Sequence, residues 1–202
     1  MPRQNRVQPD GQIIAHAARG LFMGNRGILH DAEGRLGRAR WRHPHWITCL
    51  TAFKGRQRPL MAPGRYTELF FLDEAVACAA GHRPCAECRR ADWLLFRDLW
   101  ARLFGAADAA AIDRALHKAR LTPDRQQRHH MARAETLPEG AFVIWQDRPH
   151  LVTLPGLRPY AAAGYGPPLP RPDGPLTVIT PEPLVQVMAA GWRPLLHPSA
   201  TG

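Results

Sequence analysis

The sequence predicts an α+β protein: a small zinc-stabilised module of strand, helix and C-x2-C, a helical connector, and a small β-rich C-terminal unit. Three observations predict it. Residues 66–72 read as a strand that leads through a short helix into Cys85-Ala-Glu-Cys88. Apolar side chains then recur at helical spacing as far as Phe104. Finally, 13 of the 20 prolines lie beyond residue 136, among short apolar runs, which is the pattern of brief strands joined by turns.

Taken in chain order, residues 1–40 read as a basic, loop-rich region. Met23-Gly-Asn-Arg-Gly27 and Asp31-Ala-Glu-Gly34-Arg-Leu-Gly37 are turn sequences around the apolar pair Ile28 and Leu29. The module spans 41–105. Within it the aromatic and β-compatible run 66–72 forms the strand, and Asp73 is placed to cap a helix over 74–80 that Gly81 and Pro84 end. Trp93, Phe96, Leu99, Trp100, Leu103 and Phe104 lie three and four apart and mark an amphipathic helix. The connector, 106–135, holds a second helix within 107–120. The last unit, 136–202, carries strands near 141–145, 151–154 and 176–180 and a helix over 182–190. Ala-Ala-Gly-X-Arg-Pro occurs at 79–84 and again at 189–194, and reads as one way of stopping a helix used twice.

The 202 residues suffice for one core and a smaller second unit, which argues against a large multidomain enzyme. No run of 18 apolar residues occurs, which excludes a transmembrane helix and a membrane role. Asp10, Gln12, His16 and Arg19 interrupt the start before it forms a secretory segment, so a cytoplasmic protein is expected. In a reducing compartment its four cysteines point to a metal before disulfides. The net charge is +10, and residues 1–60 carry 11 basic against 3 acidic side chains while 61–104 carry six of each. Such one-sided charge is the footprint expected for a polyanion partner, against the plainer alternative of a solvated basic arm.

Zinc needs four converging ligands, and C-x2-C supplies two from one tight turn. Cys85 and Cys88 fit that role. His45 and Cys49, in H-x3-C spacing, supply the second pair if the chain turns helically there, with His43 a competing ligand at H-x5-C. Cys78, inside the 74–80 helix, reads as a small core residue. A single zinc ion held by His45, Cys49, Cys85 and Cys88 is therefore expected.

The run from Glu68 to Arg89, with its strand, its Glu-Ala-rich helix and Ala-Ala-Gly-His-Arg-Pro-Cys-Ala-Glu-Cys, resembles the second half of the Ada-type metal-binding domain. The resemblance is specific over 68–89, loose upstream, and covers about a quarter of the chain. In the DNA-repair members of that family the other two ligands are a C-x3-C pair, whose first thiolate accepts a methyl group from a DNA phosphotriester. Stand-alone relatives, some attached to nucleases, carry H-x3-C. This sequence departs in the same way, with His45 ahead of Cys49, and an imidazole cannot accept a methyl group as a thiolate does. The resemblance therefore implies a closed, structural four-ligand site in a nucleic-acid-binding protein, with DNA the favoured partner.

Around that site stand Arg40, Arg42, Lys54, Arg56, Arg58, Arg83, Arg89 and Arg90, candidates for phosphate contacts whose affinity would fall with salt. Trp41, Trp46, Phe53 and Tyr66 lie among them as stacking or core residues. Two other readings stand beside this one. A metal-dependent hydrolase or nuclease could use Asp113, His117, Asp124, His129 and His130, outside the zinc module, although a solvated helix face followed by an exposed basic tail at 125–133 is the simpler account of those residues. A protein-interaction module could use the proline-dense stretch 155–175. Gly164-Tyr-Gly166 is followed by two prolines and cannot open a dinucleotide-binding helix.

Overall fold

A computed structural model describes residues 1–56 and 59–201. It is α+β, with two six-stranded sheets and four α-helices among the described residues. The first sheet comprises β1 (Gln4–Val7), β2 (Ile13–Ala15), β3 (Phe22–Asn25), β4 (Ile47–Leu50), β5 (Leu69–Phe71) and β6 (Arg83–Pro84), ordered β2-β1-β5-β3-β4-β6. β3 runs antiparallel to both β4 and β5, and β6 runs parallel to β4. The second sheet comprises β7 (His130–Arg133), β8 (Phe142–Trp145), β9 (Arg148–Thr153), β10 (Gly156–Ala161), β11 (Gly164–Tyr165) and β12 (Pro175–Val178), ordered β11-β10-β9-β8-β12-β7. Gln146 and Asp147 both take positive φ, which is the two-residue turn that matches strand twist and joins β8 to β9.

Alternation along the strands assigns the two faces of the second sheet to two different cores. Val143 and Val152 face helices α2 (Arg90–Phe104), α3 (Ala109–Arg120) and α4 (Glu182–Ala189), packing with Trp93, Phe96, Leu99, Ile112, Leu116, Leu184 and Val187. Their neighbours Phe142 and Leu151 face the other way, against helix α1 (Glu74–Ala79) and the first-sheet residues Val7, Phe22, Leu69 and Phe71. Burial on both faces explains why 141–143 and 151–152 are unbroken apolar runs rather than alternating ones. α1 lies between the sheets, and all six of its residues are buried. Its short alanine-rich sequence suits that place, because small side chains let a helix approach a sheet closely.

The helices keep close to their sequence expectations. Asp73 caps α1 by accepting the Val76 N–H at 2.9 Å, and Asp108 caps α3 by accepting the Ala111 N–H at 2.7 Å. The repeated Ala-Ala-Gly stop is also real at the backbone. Gly81 and Gly191 both have positive φ, and their amides bond to the carbonyls of Cys78 and Met188 three residues back.

The N-terminal expectation needs correction. Residues 1–40 contain β1, β2 and β3, so the boundary expected at 41 divides a single sheet. Strands of three and four residues embedded in turn sequence are invisible as local patterns, and β1 and β3 are joined to the sheet through β5, more than 40 residues further along the chain. The boundaries expected at 106 and 136 likewise cut a shared core, because α2, α3 and α4 pack on one sheet face. β4, β6, β7, β10 and β11 likewise lie outside the expected strands, being short or interrupted by proline. Among the described residues no helix is long and apolar enough to cross a membrane.

Candidate metal centre

The parallel pairing of β4 with β6 builds the site. Its register sets Ile47 against Arg83 and Thr48 against Pro84, so the next residues in each chain, Cys49 and Cys85, come level. The Cys85 N–H donates to the Thr48 carbonyl at 3.0 Å and fixes this alignment. The turn that follows carries Cys88 to the same place just before α2 begins. As a result the sulfurs of Cys49, Cys85 and Cys88 lie within 4.8 Å of one another. Tetrahedral zinc with Zn–S near 2.3 Å holds its sulfurs about 3.8 Å apart, so this triad could hold a metal ion with small side-chain adjustment.

Backbone amides already serve the sulfurs: the Glu87 N–H donates to Cys85 Sγ at 3.4 Å, and the Leu50 N–H donates to Cys88. The thiol of Cys49 and the amides of Cys88 and Glu87 draw the Cys85 thiol down to about 5, whereas Cys49, hydrogen-bonded to Cys85 and buried, is pushed up. Burial pushes Cys88 up as well. The physical reason is that thiolates this close repel, so one ionises at the expense of the others, and a shared cation is what would let all three ionise.

The triad lies in a cleft of about 670 Å³ whose walls include Met23, Ile47, Phe53, Leu60, Tyr66 and Phe70. Arg56 and Glu87 form an ion pair of 2.6 Å at its exposed rim.

His45 is not with the cysteines. It lies just before β4 in a tight turn, where the Trp46 N–H donates to the Pro44 carbonyl at 3.0 Å, so no helical turn brings it level with Cys49. Its ring is half exposed, and Nδ1 lies 2.8 Å from Asp113 Oδ2. His43 stands beside it, with 5.7 Å between ring centres, and also outside the triad. Among the described residues no Asp, Glu or His atom joins the three sulfurs. The closed four-ligand set is thus replaced by three cysteines. Cys78 is 1 % exposed in the core, where burial raises its thiol.

The expected phosphate contacts divide. Arg83 is buried in a two-pronged pair with Asp113, at 2.8 Å on each oxygen. Arg89 is buried between Glu74 and Asp92. These two hold the fold together internally and are not surface contacts: Arg83 ties β6 to α3, and Arg89 ties the start of α2 to α1, roles that need the guanidinium inside. Arg40, Arg42, Lys54 and Arg90 are exposed, Arg56 is paired with Glu87, and Arg58 lies outside the described residues. Asp113 belongs to Arg83 and His45, His117 packs on Trp41 and Arg120, and Asp124 and His129 are exposed, so these groups form no metal cluster. Two fully buried arginines, Arg26 and Arg120, carry no signal in the sequence, because arginine ordinarily lies at the surface.

No family model matches the chain, and neither a curated protein nor a solved structure matches it.

Proposed function

We propose that this is a zinc-binding protein in which Cys49, Cys85 and Cys88 supply three thiolates and the remaining coordination position is turned to the cleft. The observation that carries this reading is the convergence of three sulfurs, and of no other ligand among the described residues, on the floor of a cleft. Closed four-ligand sites are structural, while three protein ligands are the arrangement of sites that bind or activate something else. The ion would supply a Lewis acid able to polarise a bound polar group. The chain's own contribution is to bind and exclude water: Phe53, Leu60, Tyr66 and Phe70 offer an apolar wall to a small molecule with an aromatic or aliphatic part.

Zinc per chain by elemental mass spectrometry, with X-ray absorption at the zinc edge, tests this on the parent protein and His45→Ala. The expected result is one zinc with three sulfurs and one lighter atom, unaltered in the variant. Loss of zinc in His45→Ala would restore the closed site, and absence of zinc from the parent would end the proposal.

A second reading, nucleic acid with DNA favoured by the Ada-like resemblance, rests on the net charge of +10 and on exposed Arg40, Arg42, Lys54 and Arg90. Anisotropy titrations of labelled DNA at several salt concentrations test it: affinity should fall steeply as salt rises. Binding that is absent, or indifferent to salt, would exclude it.

A further inference from the structure

Charge without a counter-charge is concentrated where the stop of α1 meets the end of α3. Arg26, just after β3, and Arg120, the last residue of α3, are 2 % and 1 % exposed. Both guanidiniums lie over Trp46, with 4.0 and 3.8 Å to the ring centre. Gly81 makes room for this arrangement, since a Cβ there would come 2.5 Å from Arg120 Cδ.

Every partner of these two arginines is neutral. Arg26 reaches His82 Nε2 at 3.4 Å and the carbonyls of Gly11 at 3.3 Å and Ala80 at 3.4 Å, all long contacts. Arg120 donates to the carbonyls of Gly81 and Pro44 and lies 2.7 Å from His117 Nδ1, while its Nε is buried without a partner. His82 and His117 stay uncharged: burial and the neighbouring guanidiniums hold both below the usual imidazole range. Among the described residues no carboxylate makes an ion pair with Arg26 or Arg120; Asp113, whose charge acts on Arg120 from a distance, is hydrogen-bonded to Arg83 and His45. Burying charge without a counter-ion is among the most unfavourable arrangements a fold can hold.

The two arginines line a groove of about 180 Å³. Arg40 and Arg125 are exposed at its edge, and Trp41 and Trp46 form an aromatic wall. Asp10, the acid among the lining residues, has its carboxylate on the Gln12 N–H at 3.0 Å. No residue of this groove belongs to the thiol cleft.

We propose that this groove is a binding site for a phosphate monoester. Two buried guanidiniums call for two negative charges, and a phosphate monoester carries about −1.5 to −2 at neutral pH, where a carboxylate carries one. Guanidinium forks suit phosphate oxygens, and the tryptophan wall suits the adjoining organic part. The volume admits a phosphoryl group and a small attached moiety, and excludes a duplex.

The experiment is thermal unfolding of the full chain in inorganic phosphate against chloride of equal ionic strength. The expected result is a melting temperature that climbs with the logarithm of phosphate concentration once the site fills. The double variant Arg40→Ala/Arg125→Ala, altered only at exposed positions, should weaken phosphate binding about tenfold or more. Arg120→Met should lose the response and, relieved of a buried charge, unfold no earlier than the parent in phosphate-free buffer. If Arg120→Met fails to fold, the double variant decides. A response equal to that of chloride, or unchanged in the double variant, overturns the proposal. Calorimetry with a nucleoside 5′-monophosphate against the nucleoside, and with a 5′-phosphorylated single strand against its 5′-hydroxyl form, identifies the source. The phosphorylated member of one pair should bind at least about tenfold tighter, and equal affinity within both pairs overturns the proposal.

Discussion

At the residue scale, the thiol triad separates the cysteines into two kinds. Cys49→Ser, Cys85→Ser and Cys88→Ser should each lower the zinc content, because hydroxyls replace soft ligands. Cys78→Ala should keep full zinc while costing about 1 kcal/mol of stability in urea melts, since Cys78 fills core space without touching the triad. Equal zinc loss in Cys78→Ala would undo the assignment. His82 provides a pH prediction. Buried and beside Arg26 and Arg120, it binds its proton in the folded state only well below the usual imidazole value, as does His117, whose value falls to about 4. The unfolded chain takes up those protons below about pH 6.5, so stability should fall as pH drops from there towards 4. Asp73 and Glu74, raised by burial, act in the opposite sense: their contribution is greatest in acid and declines as pH rises through their folded values. Comparing the parent with His82→Gln isolates the histidine. The variant should have a flatter acid limb, and superimposed limbs would contradict the assignment.

At the element scale, helix α1 hangs on Asp73. Its carboxylate accepts from the Val76 N–H at 2.9 Å, the Tyr165 hydroxyl at 2.8 Å and the His197 N–H at 3.0 Å, joining α1 to β11 and the C-terminal segment. Asp73→Ala would remove a helix cap and leave buried donors unpaired, so a loss of roughly 3 kcal/mol is expected from denaturant unfolding. Asp73→Asn keeps an acceptor for the cap and should lose less. Equal losses would mean that charge, not hydrogen bonding, holds α1. Six residues could not form a helix by themselves in water, so α1 exists because its cap and its two flanking sheets hold it.

At the scale of the whole molecule, the sheets are joined through α1 and the second sheet's far face carries the three longer helices. β3, from the N-terminal segment, pairs with both β4 and β5, so the triad's strand depends on residues outside the 41–105 stretch. Unfolding followed by calorimetry and by zinc release should therefore give one coincident transition. Chelation should lower its midpoint by roughly 10 °C, as bound metal adds directly to folding free energy. Separate transitions for the two sheets would show that they fold independently.

Local signals in the sequence determined the α+β class, the four helices, the Asp73 cap, the glycine stops at Gly81 and Gly191, the buried place of Cys78, and Cys85 with Cys88 as a pair in one turn. Each depends on neighbours a few residues away, which the periodicity of side chains reveals directly. Only the tertiary structure decided the rest. β1 and β3 are tied into the sheet by pairing with β5, far along the chain, and His45 is carried away from Cys49 because a tight turn, not a helical one, precedes β4. Arg83, Arg89, Arg26 and Arg120 are inside because Asp113 and Glu74, or the face of Trp46, meet them there. A guanidinium in sequence looks solvent-exposed by default, and whether it faces water, a carboxylate or an empty groove is settled by strand register and packing between segments far apart along the chain.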